Sequence, residues 1–245
     1  MDNNQTVEKL KQMRLNAMAS YHLQNVANNR LSDTTPDEYL AMLTDHEWEQ
    51  RQNNRIARYT FQAGFRQEAS IESINYTALR NLDKNMFQRL ANLSFVQKRE
   101  NIIITGASGV GKSYIAQALG RQACLLGHRV MYGTTSRLMS QMKLSKVDGT
   151  YLKELKKLTN IDVLILDDFG LQAFDNSARE ALMDIIDDRY QKTSTILCSQ
   201  IPVAAWYDII GEGTIADAIL DRIVHSSHRI DLQGASLRKE LKPAE

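Results

Sequence analysis

Residues 106–113, Gly-Ala-Ser-Gly-Val-Gly-Lys-Ser, match the pattern G-x-x-x-x-G-K-[ST], and each fixed position has a chemical reason. Glycines at 106, 109 and 111 permit tight, partly left-handed turns that aim successive amides at phosphate oxygens, and the dipole of a following helix adds positive potential. Gly106, Ala107, Ser108, Gly109, Val110, Gly111, Lys112, Ser113 and Tyr114 are therefore the candidate ATP-binding residues. Lys112 would reach the β- and γ-phosphates, and Ser113 would ligate Mg2+. By composition alone the four fixed positions coincide in roughly one chain of this length in a hundred, so the flanks matter. An apolar run precedes the octet and a helical pattern follows it, as a phosphate loop requires and a chance glycine turn does not.

A second constellation lies at residues 163–168, Val-Leu-Ile-Leu-Asp-Asp. Four aliphatics predict a buried central strand that delivers two carboxylates at its carboxyl end, where open parallel sheets bind ligands. Asp167 is expected to hold Mg2+ through its water shell and Asp168 to orient the attacking water. Many such sites carry Glu at the second position, so the shorter Asp168 predicts slow hydrolysis. Ser199 and Gln200, at the exit of another apolar run, are candidates to sense the γ-phosphate, or else ordinary strand-end polar residues. Arg222, next to Asp221, either reaches a neighbouring subunit's nucleotide or forms a surface pair of small energetic weight.

Those residues need a scaffold. Runs at 102–105, 129–132, 163–167, 195–199 and 229–232 predict five strands, with enough residues between them for helical crossovers. The fold expected is α/β, a three-layer P-loop architecture around a five-stranded parallel sheet. Ahead of it, residues 1–68 read as a small all-helical domain, with residues 69–245 as the ATPase domain. Val7, Leu10, Met13, Ala17 and Tyr21 keep a 3.6-residue period, and a second helix opens at Thr35-Pro36-Asp37-Glu38 and runs to Gly64. Leu79, Leu82, Met86, Leu90 and Leu93 mark one more helix, and Ser177 to Glu180 reads as a capping box.

Composition narrows the function class. The chain has 245 residues, a formal charge of +1 and a pI near 7.8, so any nucleic-acid contact must be local. Residues 137–157 supply one: Arg137, Lys143, Lys146, Lys153, Lys156 and Lys157 face only Asp148 and Glu154. No signal-peptide region opens the sequence, no run is long enough to cross a bilayer, and Cys124 and Cys198 fall in predicted core elements. A cytoplasmic protein without a membrane partner is expected. His225 and His228 lack a third ligand at metal spacing and read as solvated.

Taken together, the helical appendage, the phosphate loop, the Asp-Asp strand, the Ser-Gln exit and the segment Ala216-Asp-Ala-Ile-Leu-Asp-Arg222-Ile resemble the IstB-type transposition helper ATPases. These are relatives of the DnaC helicase loaders in the AAA+ class, and the resemblance covers nearly the whole chain. It implies an ATP- and Mg2+-dependent ATPase, a homo-oligomer in which Arg222 is an arginine finger acting in trans, and assembly on double-stranded DNA with little sequence preference. It further implies a partner transposase and a bacterial cytoplasmic setting. The basic stretch 137–157 would face the DNA, and charge reversal at Lys143 and Lys146 would weaken binding. By the resemblance, residues after 232 are too few for the usual AAA+ helical lid, so the family's second sensor arginine has no assigned counterpart, Arg238 being a candidate. The segment 73–79 lies where part of an adenine pocket would be. The same motor serving a replicative helicase, a small-molecule P-loop kinase, and a switch that binds ATP without hydrolysing it are the alternatives.

Overall fold

The computed structural model describes residues 3–28, 34–76, 81–211 and 213–237. Two compact units, Met1–Arg58 and Tyr59–Glu245, account for the chain. In the first unit the expected opening helix is two, α1 (Asn3–Gln12) and α2 (Asn16–Ala27). Arg14 takes φ 59°, and the Leu15 amide donates back to the Leu10 carbonyl at 2.9 Å, so the chain reverses where the side-chain period gives no warning. Glu47 holds the turn: its carboxylate accepts from the Met18 amide at 3.0 Å and from Arg51 Nε at 2.7 Å. Arg51 Nη2 also donates to the Arg14 carbonyl at 3.0 Å.

Helix α3 (Pro36–Ala63) starts as its sequence dictates. The Glu38 carboxylate accepts from both the amide and the hydroxyl of Thr35, at 2.9 and 2.8 Å, which closes a capping box over the first turn. Those bonds hold the Glu38 carboxyl below its usual range. Gly64, at φ 70°, ends the helix.

In the second unit, strands β1 (Asn101–Gly106), β2 (Val130–Thr134), β3 (Val163–Asp167), β4 (Ser194–Ser199) and β5 (Ser227–Leu232) form one parallel sheet in the order β2-β3-β4-β1-β5. Every residue of β3 and β4 is buried, because the sheet is covered on both faces and these strands lie inside it. Alternation assigns the two cores. Ile102, Ile104, Ile165 and Ile196 pack under α6 (Lys112–Leu125), with α4 (Lys84–Ala91) and α5 (Ser94–Lys98) beside it. Ile103, Leu164, Leu166 and Leu197 face α7 (Thr135–Val147), α8 (Tyr151–Thr159), α9 (Asn176–Arg189), α10 (Trp206–Ile210) and α11 (Gly213–Val224). Each such aliphatic contributes about 1.5–3 kcal/mol of transfer free energy.

Two expected helix boundaries are corrected. The helix from Leu79 to Leu93 is shorter: Leu79 lies outside the described residues, α4 starts at an Asp83 cap, and Leu93 at φ 58° separates it from α5. Nor does Ser177 cap α9. Asp175 does, its carboxylate accepting from the Ala178 amide at 2.8 Å, because an anion two residues earlier satisfies the orphan amide and complements the dipole.

That cap gives a pH test. The Ala178 amide, then Lys143, hold the Asp175 carboxyl below its ordinary value. A depressed folded pKa means stabilisation that is complete above the ordinary carboxylate range and is lost as pH falls through the folded value. Asp175→Ala should melt roughly 2–4 °C below the parent protein at pH 7, with the two melting curves converging in acid; a constant gap across that range would remove the cap from the explanation.

A buried arginine ties the lower end of the sheet together. Arg189 is 2% exposed, and its guanidinium donates to the carbonyls of Leu158, Ile161 and Ser194 and to Thr195 Oγ1. Burial presses its pKa down to about 9, still protonated at neutral pH.

Candidate nucleotide site

Strand β1 ends at Gly106 and helix α6 begins at Lys112, so the glycine octet bridges strand and helix at the carboxyl end of the sheet. Gly106 and Gly109 have φ of 143° and 85°. A side chain at 106 would collide with the Leu232 carbonyl on β5, and one at 109 with Ser236 beyond it. Glycine is thus imposed both by conformation and by close backbone approach. Val110 is buried and anchors the loop, while Ala107 and Ser108 are exposed. Lys112 is 7% exposed, and its Nζ donates to the carbonyls of Gly106 and Ala107 at 2.8 and 2.7 Å, folding the ammonium into the loop's concavity. Tyr114 points elsewhere: its hydroxyl accepts from the Ser70 amide at 3.4 Å.

Asp167 sits at the end of β3, 3% exposed. Its Oδ2 accepts from the Tyr132 hydroxyl at 2.6 Å and its Oδ1 from the Asp168 amide at 3.0 Å, while Thr135 Oγ1 donates to its carbonyl at 3.0 Å. Burial first, then the Asp167 carboxylate, push the Tyr132 phenol well up, so it stays a donor. The carboxylate is therefore held in one orientation, with lone pairs left on each oxygen. Asp168 leaves the strand at φ 53° and lines a cavity of about 240 Å³ with Thr135, Lys143 and Gly170.

One buried thiol lies between these groups, and its own residue's carbonyl accepts from the Phe169 amide at 2.8 Å. Burial, then Asp167, Lys112 and Asp168 acting through their charges, set the Cys198 pKa, which is pushed well above its ordinary value. Cys198 also lies 3.8 Å from the Lys112 carbonyl. The phosphate loop and the Asp pair thus meet over the end of β4.

Ser113 and Asp167 offer oxygen donors, the chemistry a hard cation prefers. Among the described residues no group of three or more His, Cys, Asp or Glu could hold a metal. The donor set suits an ion such as Mg2+ that keeps waters and takes phosphate oxygens for the rest of its shell.

The other expected site residues distribute differently. Ser199 is fully buried, and its hydroxyl donates to the Phe169 carbonyl at 2.7 Å and accepts from the Ile201 amide at 3.0 Å, tying the exits of β3 and β4 together. Gln200 is exposed just beyond. Arg222, near the end of α11, is at the opposite end of the sheet: Asn101, the first residue of β1, approaches its carbonyl at 3.4 Å. Its Nη1 donates to the Ala218 carbonyl at 3.0 Å, and its guanidinium lies 5.8 Å from the centre of the Tyr190 ring. Nε is 2.9 Å from Asp187 Oδ1 but makes no aligned hydrogen bond, so the pair is electrostatic.

The basic stretch divides. Lys143 pairs with Asp175 at 3.2 Å, Lys146 with Glu180 at 2.8 Å and Lys157 with Glu154 at 3.6 Å. Arg137, Lys153 and Lys156 are exposed, with no acidic partner among the described residues. His225 and His228 contact different acids, Asp221 and Glu100, at 3.3 and 2.8 Å. Arg238 and residues 77–79 of the expected adenine segment lie outside the described residues.

Two residues escaped the sequence reading. Tyr132 was invisible because its partner depends on β2 lying beside β3. Gln117 left a signal: it is the polar residue between Ile115, Ala116, Ala118 and Leu119, and it is 1% exposed. Its Oε1 accepts from the Arg66 and Gln67 amides at 2.7 and 3.3 Å, and its Nε2 donates to the Ser113 carbonyl at 3.1 Å.

Comparison with known proteins bears on this arrangement. A family described as IstB-like ATP binding protein matches residues 8–244. An insertion-sequence ATP-binding protein of Sinorhizobium fredii is 40% identical over 96% of both chains. The ATP-binding protein of insertion sequence IS21 from Pseudomonas aeruginosa is 31% identical over 91% of this chain and 84% of that one. Among solved structures, the DnaC helicase loader superposes with a TM-score of 0.56 at 21% identity, covering 72% of this chain and 99% of that one, a likeness of fold.

Proposed function

The chain belongs to the IstB-like ATP-binding family of insertion sequences, and from that premise we propose that it is a DNA-stimulated ATPase that assembles on target DNA and recruits or stimulates a partner transposase. The observation that carries this reading is the split between the two ends of the sheet. The phosphate loop and the Asp167–Asp168 pair stand at one end and Arg222 at the other, so Arg222 is suited to a neighbour's nucleotide rather than its own.

In this reading the amides of residues 106–113 bind the phosphates and Lys112 exchanges its loop carbonyls for phosphate oxygens. Ser113 and Asp167 would hold Mg2+, which would supply positive charge for the phosphates. Asp168 orients the attacking water, and Gln200 is better exposed than Ser199 to sense the γ-phosphate. A homo-oligomer follows from the finger in trans. Residues 1–68 are assigned to partner or self contacts, supported by Leu40 and Trp48, which are 61% and 65% exposed on α3. The setting is the bacterial cytoplasm, in keeping with two free buried cysteines and with the lack, among the described residues, of any helix long and apolar enough to cross a membrane.

DNA contact is assigned to the basic stretch 137–157 through phosphates, with little base reading. Reversal of Lys143 or Lys146 would also break its pair with α9, so Lys153→Glu with Lys156→Glu is the cleaner test. Each lost phosphate contact should lower the magnitude of the log–log salt slope by about 0.9. Duplex binding followed by fluorescence anisotropy across a salt series should show that change with nucleotide affinity intact; an unaltered slope would move the DNA elsewhere. The broader test is ATP turnover and sedimentation with and without duplex DNA. A monomer whose turnover ignores DNA would return the chain to the small-molecule kinase reading.

A further inference from the structure

β2 is an end strand, hydrogen-bonded only to β3, and along its open side runs a groove of about 700 Å³. Arg66, Arg129, Arg137 and Lys157 line it, and no Asp or Glu does. The cations come from four separate stretches of the second unit, two of them loops and two the helices α7 and α8. Arg129 and Lys157 pair with Asp162 and Glu154, which do not line the groove, at 3.9 and 3.6 Å. Arg66 lies 5.9 Å from the centre of the Tyr132 ring. The groove's lining is that of a polyanion site, its carboxylates limited to the partners of Arg129 and Lys157, a pairing that exposed ions exchange at little cost.

The groove is wired to the nucleotide site twice. Tyr132 forms part of its wall, and its hydroxyl donates to Asp167 Oδ2 at 2.6 Å. The amides of Arg66 and Gln67 bind Gln117, which in turn holds the carbonyl of Ser113. Both residues assigned to Mg2+ thus have a direct or one-residue link to the groove wall. An acidic peptide added as an extra strand is a poorer occupant, because Gly64 lies beside the Tyr132 carbonyl, where a built Cβ would come within 3.8 Å. The edge is not continuously open there, whereas a phosphate backbone needs only the cations.

We propose that this groove takes the sugar-phosphate backbone of DNA, and that Tyr132 is a positioning residue that reports its occupancy to the Asp167 carboxylate. The proposal rests on the reading of the chain as a DNA-stimulated ATPase and supplies its route of stimulation. A phosphate in the groove draws Arg66 away from the Tyr132 face, the ring relaxes, and its hydroxyl loosens from Oδ2. The Asp167 lone pair so released would be free to accept from the water shell of a bound Mg2+.

The test uses the full chain. For the parent protein, Tyr132→Phe and Arg66→Gln with Arg137→Gln, three quantities are read: duplex affinity across salt, the Mg2+ concentration that half-saturates binding of a fluorescent ATP analogue with and without duplex, and the ratio of turnover with duplex to turnover without it. In the parent protein, duplex should lower half-saturating Mg2+ by roughly tenfold, the scale of one charge-assisted hydrogen bond. Tyr132→Phe should keep the parent's salt slope and, without nucleotide, bind duplex up to about tenfold more tightly, need that lower Mg2+ already without DNA, and lose most of the stimulation ratio. The double arginine variant should bind duplex more weakly, with a slope shallower by about 1.8. Tyr132→Phe responding to duplex like the parent, or the arginine variant binding with unchanged affinity and slope, would overturn the proposal. A parent protein that binds duplex without any change in turnover would instead bring down the reading beneath it.

Discussion

Lys112→Ala should weaken ATP binding by roughly two to three orders of magnitude, the scale of losing a buried charge-assisted contact made to more than one phosphate, and should leave no measurable turnover. The size follows from where the ammonium lies. It is 7% exposed and folded onto the carbonyls of Gly106 and Ala107, so a phosphate entering the loop meets a cation already desolvated and already inside its concavity. Little side-chain entropy remains to be lost on binding. Truncation also leaves those two carbonyls short of a donor, and the loop itself should loosen. The Nζ charge alone is therefore not the whole effect, and Lys112→Gln, which can still donate to a carbonyl, should preserve more of the thermal stability than Lys112→Ala while binding ATP as poorly. Equilibrium binding of a fluorescent ATP analogue beside thermal melting separates the two; an alanine variant binding within threefold of the parent would take Lys112 out of the phosphate site.

What the sequence made legible was whatever depends on neighbours along the chain. The octet at 106–113 declares itself because its glycines, lysine and serine act within one turn of backbone. The aliphatic runs of β1, β3 and β4 declare themselves because strands buried on both faces carry no polar alternation. The capping box at Thr35 is likewise local, since Glu38 is three residues away. The failures share the opposite property. Asp175 rather than Ser177 caps α9 because an aspartate two residues upstream competes for the same amide, and a pattern match cannot weigh competitors. Arg14 and Leu93 take left-handed backbone without being glycine, so the breaks they impose have no compositional mark. The Tyr132 bond to Asp167 requires the strand order, and nothing local to either residue encodes that β2 lies beside β3. Gln117 is the intermediate case: a lone amide in an apolar stretch of α6 announces an obligation to be hydrogen-bonded, without saying that its partners are Arg66, Gln67 and Ser113.

Arg222→Ala should reduce turnover of the assembled protein by about a thousandfold or more, the range seen when a finger arginine is withdrawn from phosphoryl transfer, while ATP binding to each subunit changes little. The surroundings of Arg222 decide between this role and a structural one. Its ion pair with Asp187 joins a guanidinium side chain 27% exposed to a carboxylate 57% exposed, and such pairs are worth about 0–1 kcal/mol. The stacking on Tyr190 adds a similar small amount. Loss of stability therefore accounts for a fall in melting temperature of a few degrees at most and for none of the expected loss in rate. The Asp187 and Tyr190 contacts instead hold the side chain ready at the far end of the sheet from its own phosphate loop. Two further variants make the assignment sharp. Arg222→Lys keeps the charge and the attraction to Asp187 but loses the planar fork, and should remain nearly as slow as alanine. Mixing Arg222→Ala with Lys112→Ala should restore part of the turnover that neither has alone, because an intact phosphate loop of one subunit can then meet an intact Arg222 of the other. Arg222 acting within its own chain could not be rescued that way, since no molecule in the mixture carries both groups; a mixture as inactive as its components, under conditions where the parent protein assembles, would place the transition-state charge on some other residue.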